Sequence, residues 1–587
     1  MKFVFKRLGF LCTLCVFTLC IFVANCFSLD REAFTFTNYD LNIRVEPEQQ
    51  RLGVRGKITL RNDSATPQKI AVLQISSSLG WRSIKASEKQ LQFVSQPFTS
   101  DIDHTGALSE ALVTLPEQVP PKGTVDLEIA YEGVIVQDAT RLTRIETPEA
   151  VALSADWDQI SAKFTALRGV GYVAWYPIAT EAADITDGKN LFDVLGKWKA
   201  RESSSKMHLK ISVSSDDGEQ PQQFLVNEAS CQVMYEAFGR PQMVSADCSY
   251  QPLGFTAPTF VMATYQAIVR PNVEVYFLHG HDASAANYAD AADKTLPLIT
   301  EWFGAPHSKI RVADLADSNA TPFESGPLLL TPLINTDSKL AGLSAAHQLT
   351  HAAFFSPRPW INEGLAHLAQ VLYIEQQSGR KAALDYLALH RSSFSADSGE
   401  TEKLTTAPSS AGEAGRSLVN TSDEELYRSK AMCVWWMLRD MLGDQALKKA
   451  LASYHPDQDK EPSYLPRLIQ AQTQRDLEWF FDDWVYRDHG LPNFKVESAF
   501  TRKTLPEGYM LTITVDNLGA AGAEVPLTVK YAGGEVTQRL VVRGKSNAVI
   551  RVQTTKPPEE IVINEGSVPE SDTGNNVFKI ESDDAAK

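Results

Sequence analysis

The sequence predicts a multidomain chain with an N-terminal β-sandwich or saddle, a mainly α central domain and a small C-terminal β-sandwich. Three observations lead there. At 587 residues the chain is too long for one compact core. Apolar and polar residues alternate with a period of two from Phe34 to about Val269, and again from Phe494 onward. Between them, from about 284 to 486, the apolar period is that of helices.

The first 28 residues stand apart. Lys2, Lys6 and Arg7 precede an apolar run from Leu8 to about Ala24, and no acid appears before Asp30. This is the layout of an export signal, with Ala24, Cys26 and Ser28 as small residues near a cleavage point. The run is also close to bilayer-spanning length, so 1–28 reads as a signal peptide or an N-terminal anchor. Either reading sends the rest of the chain outside the cytoplasm, whether secreted, periplasmic or membrane-anchored. Without Lys2, Lys6 and Arg7 the 56 basic residues become 53, against 72 acidic ones, net −19. Such a chain repels phosphate backbones, which argues against a nucleic-acid partner. Of the seven cysteines, Cys231, Cys248 and Cys433 lie outside the export segment. Cys231 and Cys248 are placed to form one disulfide in an oxidising compartment, whereas Cys433 lies in an apolar helical run and reads as a core residue.

The N-terminal β-rich part covers 29–270. Tyr39-Asp40-Leu41-Asn42-Ile43-Arg44-Val45, Val125-Asp126-Leu127-Glu128-Ile129-Ala130-Tyr131 and His208-Leu209-Lys210-Ile211-Ser212-Val213 carry the strand alternation, and no helix of convincing length is expected there. The central part, 271–493, opens on a strand at 273–278. Helices are expected at 284–303, 338–355, 359–377, 382–390, 423–442 and 444–454, with the Ser/Thr/Gly-rich stretch 393–421 as a long loop. The C-terminal part, 494–587, returns to alternation at Tyr509-Met510-Leu511-Thr512-Ile513-Thr514-Val515 and ends in an acidic tail after Asn564 that is expected to be loosely held.

The chemistry concentrates in Ala345-Ala346-His347-Gln348-Leu349-Thr350-His351, inside the helix that Asp337 or Ser338 would cap and Pro357 must end. Histidines at i and i+4 project from one face and can hold one ion. Eleven residues separate His351 from Glu363, and the intervening Ser356-Pro357-Arg358-Pro359 turn starts a second helix. A returning helix brings that carboxylate beside the histidines, and two His with one Glu and an open position is the ligand set of a catalytic zinc.

Asn362-Glu363-Gly364-Leu365-Ala366, after His347 and His351, resembles the second zinc motif of the aminopeptidase N (membrane alanyl aminopeptidase) family of gluzincins. The resemblance extends to Tyr427-Arg428-Ser429-Lys430-Ala431 and to Leu477-Glu478-Trp479-Phe480-Phe481-Asp482-Asp483-Trp484. It implies a thermolysin-like central domain, Zn2+ as cofactor with His347, His351 and Glu363 as ligands, Tyr427 as the hydroxyl that stabilises the oxyanion, and a peptide or protein as substrate.

Three departures bear on function. The spacer before Glu363 is shorter than the family's, with 11 residues where 18 are usual. Pro322-Phe323-Glu324-Ser325-Gly326 stands where the family has its amine-binding Gly-Ala-Met-Glu-Asn, so Glu324 is either a substrate-amine contact or a surface carboxylate. Gln348 replaces the family's catalytic glutamate, and an amide cannot take the proton from a metal-bound water. The loss of a general base is worth on the order of 10²–10⁴ in rate. His367, one turn past Glu363, is the nearest candidate for a substitute, against a packing or supporting role. The sequence therefore points to a zinc metallopeptidase-like protein with impaired hydrolysis, or to a zinc-binding pseudo-peptidase that holds peptide or protein without cleaving it.

Overall fold

In a computed structural model, the described residues are 29–580, excepting 188–189, 216–222, 228–230, 237–241, 392–416, 422, 424–425 and 505–507. The export segment and most of the 393–421 stretch lie outside them.

The N-terminal region is built on an eight-stranded sheet with spatial order Gln232–Glu236, Gln242–Tyr250, Lys206–Ser215, Phe34–Glu46, Arg51–Asn62, Thr124–Val134, Leu79–Ala86 and Lys89–Gln90. The pair Phe34–Glu46 and Lys206–Ser215 is parallel. The inward residues predicted by the alternation (Leu41, Ile43, Leu127, Ile129, Leu209, Ile211) are buried, together with a three-stranded sheet of Gln68–Ser76, Ala107–Val119 and Phe93–Thr99. A disulfide joins Cys231 to Cys248, and Cys433 is free and buried.

The expectation of no helix of convincing length in the N-terminal part is corrected: α1 (Asn190–Glu202) is 13 residues long. Its buried Leu191, Val194 and Trp198 sit at i, i+3 and i+7, a helical spacing embedded in strand-rich sequence.

The central region contains a mixed five-stranded sheet, in order Gln266–Val269, Val273–Phe277, Ile310–Asp314, Leu328–Thr331 and Phe323–Ser325. Its first hairpin pairs Gln266–Val269 with Val273–Phe277, Val269 opposite Glu274. α2 (Asp282–Phe303) covers one face of the sheet, followed by α3 (Ser338–Ala353), α4 (Pro359–Ser378), α5 (Arg380–Leu389), α6 (Ala431–Leu442) and α7 (Asp444–Ala452). A π-helical turn, Leu426–Lys430, leads into α6. Asp337 caps α3, its carboxylate accepting from the Lys339 and Leu340 amides.

The two sheets after Phe494 pack Leu511, Ile513, Val525 and Leu527 into the same apolar core as α3, α4 and α6. The tail is corrected as far as residue 580: Val568 is fully buried, Asn564 and Asn576 hold Glu570, and Val577–Lys579 adds a strand to Pro558–Ile563.

Candidate metal centre

α3 and α4 are joined by a turn only five residues long, and the turn is fixed by side chains. Ser356 Oγ lies 2.8 Å from the Tyr454 hydroxyl, Tyr454 donates to Asp459 at 2.7 Å, and Arg358 donates to the same carboxylate at 2.7 Å. Pro359 begins α4 at its first position, where its missing N–H costs nothing. Glu363 therefore lies little more than a turn into α4, beside the end of α3, which accommodates the short spacer.

His347 is 3% exposed, and its Nε2 lies 2.9 Å from His351 Nε2. Glu363 stands 3.4 Å from His351 Nε2 and 3.8 Å from His347 Nε2. Glu324, 23 residues before His347, is 2.8 Å from the same His347 Nε2. It also accepts from the Gln348 amide at 2.5 Å. Two groups of possible metal donors overlap at His347: one adds Glu324 and His351, the other Glu363 and His367. The structure thus gathers His347, His351, Glu363, Gln348 and Glu324 at one place. Tyr427 is buried on the π-helical turn, which packs against α4.

Two neighbours were not foreseen. Arg428 donates to Glu363 Oε2 at 3.3 Å; the only hint was its place beside Tyr427. Asn362 Nδ2 lies 3.1 Å from His351 Nδ1, while its Oδ1 accepts from the Ser356 amide at 3.1 Å. His367, suggested as a substitute base, is held at Nδ1 by Gln370 (3.0 Å) and stacks edge-on to His347 with ring centres 4.8 Å apart.

Charge is balanced locally. Burial opposes ionisation of Glu363, but His351, Arg428 and His347 outweigh it and hold its carboxyl well below the usual range. Glu324 is also lowered: desolvation works against it, and His347 wins. Its side chain is hemmed by protein yet keeps 32% of its surface open. Burial drives His367 well below the ordinary histidine value, and the neighbouring His347 and Arg428 add to that.

These donors fit a divalent cation. Two imidazole Nε2 atoms facing each other at 2.9 Å need a shared proton or an ion between them, and two carboxylates stand ready to neutralise it. The supporting shell fits less well. His347 Nδ1 is buried without a hydrogen-bond partner among the described residues, and His351 Nδ1 meets an amide N–H rather than an acceptor. Metal-binding histidines ordinarily donate that proton outward.

No family model matches this sequence, and no curated protein sequence matches it. Among solved structures the chain is similar to an M1 zinc metallopeptidase from Deinococcus radiodurans, at 15% identity. That match covers 78% of this chain and 95% of that one with a TM-score of 0.45. A single-residue mutant of the Deinococcus enzyme is matched at 15% identity over 79% and 97%, with a TM-score of 0.46.

Proposed function

We propose that this chain is a zinc metallopeptidase-like protein acting on peptides outside the cytoplasm, with hydrolysis slowed by Gln348. The observation that carries the reading is that His347 Nε2 and His351 Nε2 face each other at 2.9 Å with the Glu363 carboxylate beside both, Oε1 3.4 Å from His351 and Oε2 3.8 Å from His347. Zinc held there would polarise a carbonyl and lower the pKa of its water towards ~7. His347, His351 and Glu363 would hold the ion, and His351, followed by Arg428 and His347, keeps Glu363 ionised against its burial. Tyr427, by the family resemblance, serves the oxyanion. Gln348 can hydrogen-bond a water but cannot accept its proton.

The apolar N-terminal run, as signal or membrane anchor, supports an extracytoplasmic location, and the Cys231–Cys248 disulfide supports an oxidising compartment. The acidic balance argues against a nucleic-acid partner.

A second reading, peptide binding without cleavage, is favoured by one observation: the Gln348 amide is already committed to Glu324. Elemental analysis and peptide turnover separate the two. The purified chain is expected to carry about one zinc that His347→Ala removes. Gln348→Glu is expected to raise hydrolysis by roughly a hundredfold, assayed on unblocked and N-blocked peptides. The same substitution in a Glu324→Ala chain relieves the crowding of two carboxylates. Fast wild-type turnover that Gln348→Glu leaves unchanged would sink the reading of Gln348, and absence of zinc would sink the metal site.

A further inference from the structure

The carboxylate missing from between the two histidines has a counterpart on the sheet edge. Strand Phe323–Ser325 is the outermost of the five and pairs antiparallel with Leu328–Thr331, Glu324 opposite Leu329. Opposed residues share a face, and successive ones alternate. Leu329 belongs to the helix-covered core, so Glu324 points towards α3, while Phe323 and Ser325 face the N-terminal region.

We propose that Glu324 is the fourth ligand of the metal held by His347, His351 and Glu363, closing its coordination shell in the resting protein. Gln348 is then a positioning residue, the amide that keeps Glu324 on the ion. This rests on the zinc reading above and adds the regulation of that site.

The distances carry it. Bonds of 2.0–2.2 Å in a tetrahedron put neighbouring donor atoms about 3.3–3.6 Å apart. The observed separations straddle that value: 2.8 Å from Glu324 Oε1 to His347 Nε2, 2.9 Å between the histidines, and, from the two oxygens of Glu363, 3.4 Å (Oε1) to His351 and 3.8 Å (Oε2) to His347.

The chemistry of position 348 agrees. A glutamate there would set two carboxylates 2.5 Å apart, and like charges so close resist ionising together. An amide donor removes the repulsion and fixes the ligand oxygen, as outer-shell groups of metal sites do. The residue that forfeits the base is thus the residue that tolerates the extra ligand. Four protein ligands make a closed site, so a substrate carbonyl or water must displace Glu324 before it reaches the ion.

The test uses the full chain loaded with Co2+, with azide as the probe of an open position and chelator competition for Zn2+ affinity. In the wild type, azide is expected to leave the visible Co2+ spectrum unchanged. Glu324→Ala, and Glu324→Gln as the variant that preserves shape, are expected to give azide-dependent spectra and Zn2+ affinity lowered roughly tenfold or more. An azide-responsive wild type whose Zn2+ affinity is the same in both variants overturns the proposal while leaving the three-ligand site standing. A wild-type chain that takes up neither ion overturns both.

Discussion

Asn362 stands where a metal-binding histidine calls for an acceptor. Its Oδ1 is occupied by the Ser356 N–H, which turns its NH2 towards His351 Nδ1. A neutral His351 accepting there carries its proton on Nε2, the atom that must face the ion. Asn362→Asp keeps the Ser356 bond and supplies an acceptor. It is expected to raise Zn2+ affinity by roughly tenfold or more, read by chelator competition; an unchanged or weaker affinity means that His351 does not bind metal through Nε2. At this scale the sequence disclosed His347, His351 and Glu363, because i, i+4 spacing and a short turn are local geometry. It left Glu324 open between a substrate contact and a surface carboxylate, because its meeting with His347 depends on strand register. Arg428 escaped for a similar reason, since it reaches Glu363 from 65 residues away across a π-helical turn.

At the scale of elements, the position of Glu363 depends on how closely α4 lies on α6. Gly364 permits that approach: a Cβ there would stand 2.7 Å from Ala431 Cβ and 2.9 Å from the Trp435 ring. Trp435 in turn stacks on Trp360 at 5.1 Å and donates to its carbonyl. Gly364→Ala gains about 1 kcal/mol of helix propensity. Overpacking costs about 1–3 kcal/mol, so the packing loss prevails. A lowered apparent Tm and weakened Zn2+ binding are expected, with both restored when Ala431→Gly is added. If the double variant is no better than Gly364→Ala, the contact does not set the helix position. The long helices were legible because their apolar period repeats over several turns. Most of the central sheet was not, since strands of three to five residues offer too few alternations to tell from loops.

Across the whole molecule, the candidate site depends on a region that supplies none of its donors. The N-terminal region grips the outer face of the strand that carries Glu324. Tyr172 meets Phe323 edge-on at 5.4 Å, and Arg168 lies over the same ring at 5.7 Å. Buried Asn227 donates to Ser325 Oγ at 2.8 Å and to the Ala257 carbonyl at 2.9 Å, and accepts from the Tyr250 hydroxyl at 2.6 Å and the Thr259 amide at 3.1 Å. One amide thus ties the N-terminal sheets to the residue next to Glu324. Asn227→Ala leaves several buried groups unsatisfied at about 1–3 kcal/mol each, and it frees the edge strand. Tyr250→Phe is the control, because it deletes one of these bonds and keeps the tie to Ser325. Asn227→Ala is expected to lower stability by roughly 3 kcal/mol and Zn2+ affinity by about tenfold. Tyr250→Phe is expected to cost about 1 kcal/mol with metal affinity intact. Equal Zn2+ affinities in the two variants would mean that Glu324 keeps its place without the N-terminal region, and that the clamp serves stability alone.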